Sequence, residues 1–123
     1  MKKEAKAALY ELLDSLTDLS VAERLTFIRK LLINYQKDRE EFLDTSNKGK
    51  PWTDTELELI LSSAPTKENC AYFARIFRRG YGSIEQIYRW AATPDSVIQS
   101  KGRANDAFVK QVKSIAKRIG FRA

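Results

Sequence analysis

Three polar side chains in residues 83–92 have the types and spacing to hydrogen-bond nucleotide bases. Glu85, Gln86 and Arg89 are separated by one, three and four positions, so a helix would carry them on one face. Arginine can pair with a guanine edge, glutamine with adenine and glutamate with the cytosine amino group. The alternative interpretation is the polar, solvated face that any amphipathic helix carries.

Basic residues accumulate toward the C-terminus. The net charge is +6 overall, but it is −1 for residues 1–47, +2 for residues 48–94 and +5 for residues 95–123. The positive field of these residues would attract a polyanion, although a solvated basic tail would show the same composition. Phosphate contacts position a protein on DNA without reading its sequence.

The predicted DNA-contacting residues therefore extend beyond Glu85, Gln86 and Arg89. Ser83 is included because it opens the same helix. The flexible segment around Gly102 could enter a minor groove. The candidates for phosphate contact are Arg78, Arg79, Lys48 and Lys50 beside the helix, and Lys101, Arg103, Lys110, Lys113 and Lys117 in the tail.

Catalytic and metal chemistry find little support in the composition. The chain has no histidine, the commonest general base and metal ligand, and one cysteine, Cys70. Its five glycines form neither a P-loop nor a dinucleotide fingerprint. We therefore expect no enzyme activity, no metal site and no cofactor. A nuclease using only carboxylates and a metal is the remaining catalytic alternative.

The sequence also predicts a compartment. It contains no apolar run of the roughly 18 residues that a membrane span needs, and no secretory signal at its N-terminus. One cysteine excludes an internal disulfide framework. We expect an intracellular protein without a membrane partner. It would be cytoplasmic, and associated with the nucleoid in a bacterium or nuclear in a eukaryote.

Three short helices are predicted between residues 51 and 94. Thr53 and Glu56 form a capping box, preceded by Trp52 as part of a hydrophobic staple. Thr66 is the predicted N-cap of the second helix and Ser83 that of the third. The segment 78–82 is predicted to be a turn whose glycines are able to adopt positive φ.

Helices are predicted on both sides of this region. Residues 3–16 and about 21–44 carry apolar stripes that favour a helical hairpin, within a segment 1–46 that packs on the chain or forms a homodimer. Linker composition at residues 45–51 marks the main internal boundary. The tail, 95–123, holds a loop and a basic amphipathic helix. The predicted fold is all-α.

The tri-helical region resembles a Myb/SANT repeat. The resemblance covers residues 51–93 and rests on Trp52-Thr53-x-x-Glu56, on Phe73-Ala74-Arg75-Ile76-Phe77 and on Ser83-Ile84. Three bulky core aromatics are typical of that family. Trp52 matches the first, whereas Cys70 and Tyr88 fall near the second and third. The resemblance implies that the third helix enters the major groove and that Glu85, Gln86 and Arg89 contact bases.

The sequence thus predicts a DNA-binding protein, acting as a transcription regulator or as the recognition subunit of a DNA-processing complex. Double-stranded DNA is the expected partner. The alternative is a SANT-type protein-interaction module that binds a protein partner without reading DNA. Trp90 lies two residues beyond the expected core aromatic, so we predict that it packs against a flanking helix or a partner.

Overall fold

The computed structural model describes residues 1–121 and, over that range, contains helices and no strands. This confirms the predicted all-α class. The seven α-helices are α1 (Lys2–Asp14), α2 (Val21–Asp38), α3 (Asp54–Leu61), α4 (Lys67–Ile76), α5 (Tyr81–Ala92), α6 (Asp95–Ser100) and α7 (Ala107–Ile119). The chain divides into unit 1, Met1–Tyr35, and unit 2, Gln36–Ala123, of which the structure describes residues up to Phe121.

Unit 2 has a closely packed apolar core. Side chains of α3, α5 and α7 that point inward are completely shielded from solvent: Leu57, Ile60, Ile84, Ile87 and Val112. Their spacing along each helix is the one that places apolar residues on a single face. Burying such a side chain contributes about 1.5–3 kcal/mol to folding, so this face holds the unit together.

The starts of α3 and α4 agree with the local sequence signals. Thr53 accepts from the Glu56 backbone N–H at 3.2 Å, and the Glu56 carboxylate accepts from the Thr53 N–H at 2.9 Å. The predicted capping box is therefore confirmed. Thr66 caps α4 by accepting from the Asn69 N–H at 3.0 Å. These caps satisfy backbone donors that the first helical turn leaves unpaired.

The start of α5 differs from the prediction. The helix begins at Tyr81 with Gly80 as N-cap, so Ser83 lies in its first turn and does not cap it. The cap comes from a distant residue, because the Glu40 carboxylate accepts from the Tyr81 N–H at 2.6 Å. A Cβ at position 80 would lie 3.1 Å from a Glu40 oxygen, which explains the glycine.

The chain turns between α4 and α5, but the glycines of the predicted turn do not adopt positive φ. Positive φ occurs at Arg78 (φ 56°), whereas Gly80 has φ −74° and Gly82 belongs to α5. The chain leaves α4 through the left-handed Arg78, and the Arg79 N–H then returns to the Ala74 carbonyl at 2.9 Å. The chain therefore changes direction at the end of α4, through Arg78, and not at the glycines.

The C-terminal helix belongs to the core of unit 2. Val109, Val112, Ile115 and Ala116 of α7 are buried, and α7 packs against α3 and α5. No domain boundary therefore separates residues 51–94 from the tail. Gly120 caps α7 in the left-handed conformation (φ 73°). α7 was expected to flank a tri-helical unit, but it forms a fourth core helix.

Unit 1 contains the predicted N-terminal helices without a core. No residue of α1 or α2 is buried. The helices meet at a corner, where Arg24 Nε donates to the Leu16 carbonyl at 3.0 Å, and they do not pack along their lengths as a hairpin would. Two apolar stripes alone do not enclose a core, which is why the hairpin is not formed within one chain.

The second helix is shorter than predicted. α2 ends at Asp38, and a 3-10 turn, Glu40–Phe42, replaces the expected extension to Asp44. The turn brings the Glu40 carboxylate to the start of α5. At the end of α2, Gln36 Nε2 donates to the Ala71 carbonyl at 2.9 Å, which ties this end of the helix to α4.

Candidate nucleic-acid interface

The outward face of α5 is open to solvent. The side chains of Glu85 and Arg89 are 47% and 65% exposed, and Gln86 is also exposed. Arg89 Nη2 pairs with Glu85 Oε1 at 3.1 Å, one helical turn away. An exposed pair of this kind contributes about 0.3–0.5 kcal/mol, so either side chain can exchange it for another partner.

Arg79 is a structural residue, which corrects its assignment as a phosphate contact. It is only 5% exposed, and its guanidinium lies 3.8 Å from the Trp52 ring centroid. Its Nη atoms donate to the carbonyls of Lys50 and Pro51 at 2.5 and 3.2 Å. Burial lowers the pKa of this guanidinium. The side chain fastens the segment before α3 onto the α4–α5 turn.

A groove at the start of α5 collects four of the predicted residues. Lys50, Arg79, Ser83 and Gln86 line it together with residues of α7, among them Gln111. Gln111 Nε2 donates to the Trp52 carbonyl and to Asp54 Oδ1, both at 2.9 Å. The groove is therefore built by α5, α7 and the segment before α3, which lie far apart in the sequence.

Lys113 also has a structural role and is not a free phosphate contact. Its side chain is 17% exposed, and Nζ donates to the carbonyls of Thr93 at 2.7 Å and Ala91 at 3.4 Å. It thus satisfies carbonyls at the C-terminal end of α5, where a cation is favourable. Asp95 lies 3.7 Å from the same ammonium group.

The remaining tail lysines differ in their surroundings. Lys117 is 67% exposed and pairs with Asp95 at 3.1 Å, a hydrogen bond that lowers the pKa of the Asp95 carboxyl. Lys110 is exposed, and its side chain has no hydrogen bond or ion pair with any residue in 1–121. With Lys113 they rim a groove between α6 and α7.

The basic loop after α6 lies over Trp90. Lys101 Nζ and Arg103 Cζ are 5.9 and 5.5 Å from the Trp90 ring centroid. The half-buried ring therefore packs against a flanking loop, where a flanking helix or a partner was predicted. Its Nε1 is buried without a hydrogen-bond partner among residues 1–121. Cation–π contact within about 6 Å holds both cations near the C-terminal end of α5.

The basic residues before α3 and after α4 are exposed but partly engaged. Arg78 Nε is 3.5 Å from Asp44, and Lys50 Nζ donates to Asn47 Oδ1 at 3.3 Å. Lys48 is also exposed. Asn47 Nδ2 donates in turn to the Phe77 carbonyl at 3.0 Å, which attaches the predicted linker to the end of α4.

Sequence reasoning missed two long-range contacts that support α5. Glu40 caps its start, and the buried Tyr88 hydroxyl donates to the Ile60 carbonyl at 2.7 Å. Burial raises the pKa of Tyr88 to about 12 and that of the Cys70 thiol to about 11. Cys70 and Tyr88 are core residues, at the positions that the resemblance placed near the second and third core aromatics.

A metal-binding cluster and a membrane-spanning helix are both absent from the described part of the chain. Within residues 1–121, no group of three or more histidine, cysteine, aspartate or glutamate side chains is arranged to hold a metal ion. In the same range, no helix has both the length and the apolar character that crossing a membrane requires.

Comparisons with known proteins define a family. A family profile described as "Uncharacterised protein PM1205 C-terminal domain" matches residues 46–123, and the chain belongs to this family. Uncharacterized protein PM1205 of Pasteurella multocida (strain Pm70) is 46% identical, in an alignment that covers 98% of each chain. The family match begins at residue 46, within the segment 45–51 that has the composition of a linker. The alignment with the relative also includes α1 and α2. No solved structure matches the chain.

Proposed function

We propose that unit 2 binds double-stranded DNA and presents the outward face of α5 to the major groove. The observation that carries this proposal is the exposure of Glu85, Gln86 and Arg89 on one uncovered helix face. Arginine and glutamine are the side chains best suited to bidentate contacts with base pairs. A regulator or a recognition subunit of a DNA-processing complex would use such a face.

The charge of unit 2 supports the proposal. Residues 36–123 carry 16 basic and 11 acidic side chains. Lys101, Arg103, Lys110 and Lys117 are exposed beside α5 and α7. Lys110 has no ion pair within residues 1–121, and the other three would exchange contacts with Trp90, Asp106 and Asp95 for contacts with phosphates. Since each phosphate neutralised releases counterions, affinity should fall steeply as salt increases.

The test measures fluorescence anisotropy of a labelled random duplex at two salt concentrations, followed by selection of bound sites from a random pool. Gln86→Ala with Arg89→Ala should reduce the preference for the selected site by about 1–3 kcal/mol for each base that is no longer contacted. Binding to random duplex should change little, because these residues read bases.

The backbone contacts need a separate variant. Lys101→Ala, Lys110→Ala and Lys117→Ala together should weaken binding to all sequences and lower the salt slope by about 0.9 for each phosphate that is no longer neutralised. Lys67→Ala is the matched control, because Lys67 is an exposed lysine outside the proposed surface. Arg79 and Lys113 are unsuitable targets since both support the fold.

The decisive negative result is a protein that does not bind random duplex even at low salt. A triple variant that behaves like Lys67→Ala would also contradict the proposed surface. Absence of binding would favour the second candidate, a protein-interaction module of SANT type. The Glu85–Arg89 ion pair favours that candidate, because it leaves the face nearly neutral.

A further inference from the structure

We infer that the groove between α6 and α7 binds a phosphate of the DNA backbone, and that the Asp95 carboxylate occupies the place of that phosphate in the free protein. This site deepens the proposed DNA binding and rests on it. It adds an internal competitor, because an acidic side chain of the same chain holds two lysines that DNA would use.

Three lysines of α7 line this groove. Lys110, Lys113 and Lys117 are spaced by three and four positions, which places them on the same face of the helix. Among the described residues that line the groove, Asp95 is the acidic one. Three lysines and one aspartate give the groove a net charge of +2, so its surroundings favour an anion.

The Asp95 carboxylate bridges two of these lysines. Its Oδ2 atom lies 3.1 Å from Lys117 Nζ, and its Oδ1 atom lies 3.7 Å from Lys113 Nζ. The hydrogen bond from Lys117, together with the charges of both lysines, lowers the pKa of the Asp95 carboxyl. A phosphodiester also presents two acceptor oxygens that share one negative charge, and lysine binds both kinds of anion. The carboxylate therefore resembles a DNA phosphate in charge and in its acceptor atoms.

Backbone hydrogen bonds hold the Lys113 ammonium group at the groove. An ammonium group has three N–H donors. Two carbonyls at the C-terminal end of α5 accept from it, Thr93 at 2.7 Å and Ala91 at 3.4 Å. The remaining donor is left for an anion, and Asp95 is the anion beside it in the free protein. Lys113 thus places the groove next to the end of the helix that we propose for the major groove.

The carboxylate of Asp95 can be displaced. Asp95 and Lys117 are both exposed, and exposed ion pairs contribute little to stability. Lys110, on the same face of α7, has no hydrogen bond or ion pair with any residue in 1–121. It can therefore make the first contact with DNA. Duplex DNA brings a row of phosphates, and the release of their counterions drives the exchange.

The experiment measures the affinity of the full chain for a labelled random duplex by fluorescence anisotropy at low salt. Asp95→Asn preserves the size of the side chain and removes its charge. It should tighten binding by about two- to fivefold, the factor that corresponds to one exposed ion pair. The physical reason is that the duplex no longer has to displace a carboxylate from Lys113 and Lys117.

Glu58→Gln is the matched control. Glu58 pairs with Arg118 Nη2 at 3.0 Å, and both side chains are about half exposed. The control also removes one acidic charge from an exposed ion pair with α7, but Arg118 does not line the groove. A gain in affinity that depended on net charge alone would therefore be equal in the two variants. We expect a clearly smaller gain for Glu58→Gln than for Asp95→Asn.

A double variant locates the gain at the groove. Asp95→Asn should improve binding less in a chain that also carries Lys117→Ala than in the wild-type chain, because one of the two lysines that it frees is then absent. Equal gains in the two backgrounds would contradict the site. Far-UV circular dichroism and tryptophan fluorescence of each variant show whether the fold has changed, so a difference in affinity with unchanged spectra is a property of the groove.

Further results distinguish failure of this site from failure of the proposed function. If the wild-type chain binds duplex and Asp95→Asn gains no more than Glu58→Gln, the site is wrong and DNA binding stands. If neither the wild-type chain nor Asp95→Asn binds duplex at low salt, the proposed function is wrong and the site with it. Calorimetric binding of inorganic phosphate to Asp95→Asn, without a gain in duplex affinity, would assign the groove to a small anion and would also overturn the inference.

Discussion

Units 1 and 2 have similar apolar periodicity and opposite burial. In unit 2, Ile84 and Val112 are completely shielded, whereas in unit 1 Leu12 and Leu32 are about 60% exposed. Both units present apolar residues every three or four positions. Periodicity therefore identifies a helix face that has to be covered, whereas the number of neighbouring helices determines whether the same unit can cover it.

The largest effect should come from truncating a shielded side chain of unit 2. Ile84→Ala should destabilise unit 2 by about 2–5 kcal/mol, because it leaves a cavity between packed helices. Leu32→Ala should leave the stability of unit 2 unchanged within about 0.5 kcal/mol, as is usual for an exposed side chain. Urea denaturation followed by tryptophan fluorescence measures unit 2 alone, since Trp52 and Trp90 both lie in it.

Equal losses of unit 2 stability for Ile84→Ala and Leu32→Ala would contradict this difference in burial, since both side chains would then contribute to one core. Leu59→Ala serves as the matched control, because Leu59 belongs to unit 2 and is 54% exposed. We expect it to behave like Leu32→Ala and unlike Ile84→Ala.

The second-largest effect should be a loss of unit 2 stability at alkaline pH. The pKa of Cys70 is raised from 9.0 to about 11 and that of Tyr88 from 10.0 to about 12, each chiefly by burial. A raised pKa means that folding favours the neutral form. The stabilisation is therefore fully present below about pH 9 and is lost progressively as the pH rises through 11 and 12.

Urea midpoints measured at intervals from pH 8 to 12 check this expectation. Cys70→Ala and Tyr88→Phe should each reduce the alkaline destabilisation, since each removes one buried group that would have to ionise. A midpoint that stays constant up to pH 12 would show that these groups do not resist ionisation in the folded state.

The smallest effect concerns the long-range cap of α5. Glu40→Ala should destabilise unit 2 by about 1 kcal/mol, because the Tyr81 N–H is then without a charged acceptor at the positive end of the helix. Glu41→Ala is the matched control, since Glu41 is exposed and adjacent in sequence. Identical unfolding curves for the two variants would argue against the cap.

Much of the fold was predictable because its signals are local. The capping box at Thr53 and Glu56, the cap at Thr66 and the left-handed Gly120 depend on residues within one helical turn. The start of α5 was mispredicted for the opposite reason. Its cap, Glu40, is 41 residues away, so no local pattern could favour Gly80 over Ser83.

The candidate site shows the same limit. The exposure of Glu85, Gln86 and Arg89 follows from helical spacing, and the sequence predicted it. Arg79 and Lys113 were assigned to phosphate contacts because charge alone does not distinguish a solvated cation from one that binds backbone carbonyls. Their partners lie 28 and 20 residues away, at Pro51 and Thr93, and only the folded chain brings them together.

Chemical modification of Cys70 can report how often unit 2 opens. The thiol is buried, and with a pKa of about 11 very little of it is the reactive thiolate at neutral pH. A maleimide reagent should therefore modify it only when unit 2 opens locally or unfolds. Because the sequence has no other cysteine, the rate of single-site modification would measure how often that opening occurs.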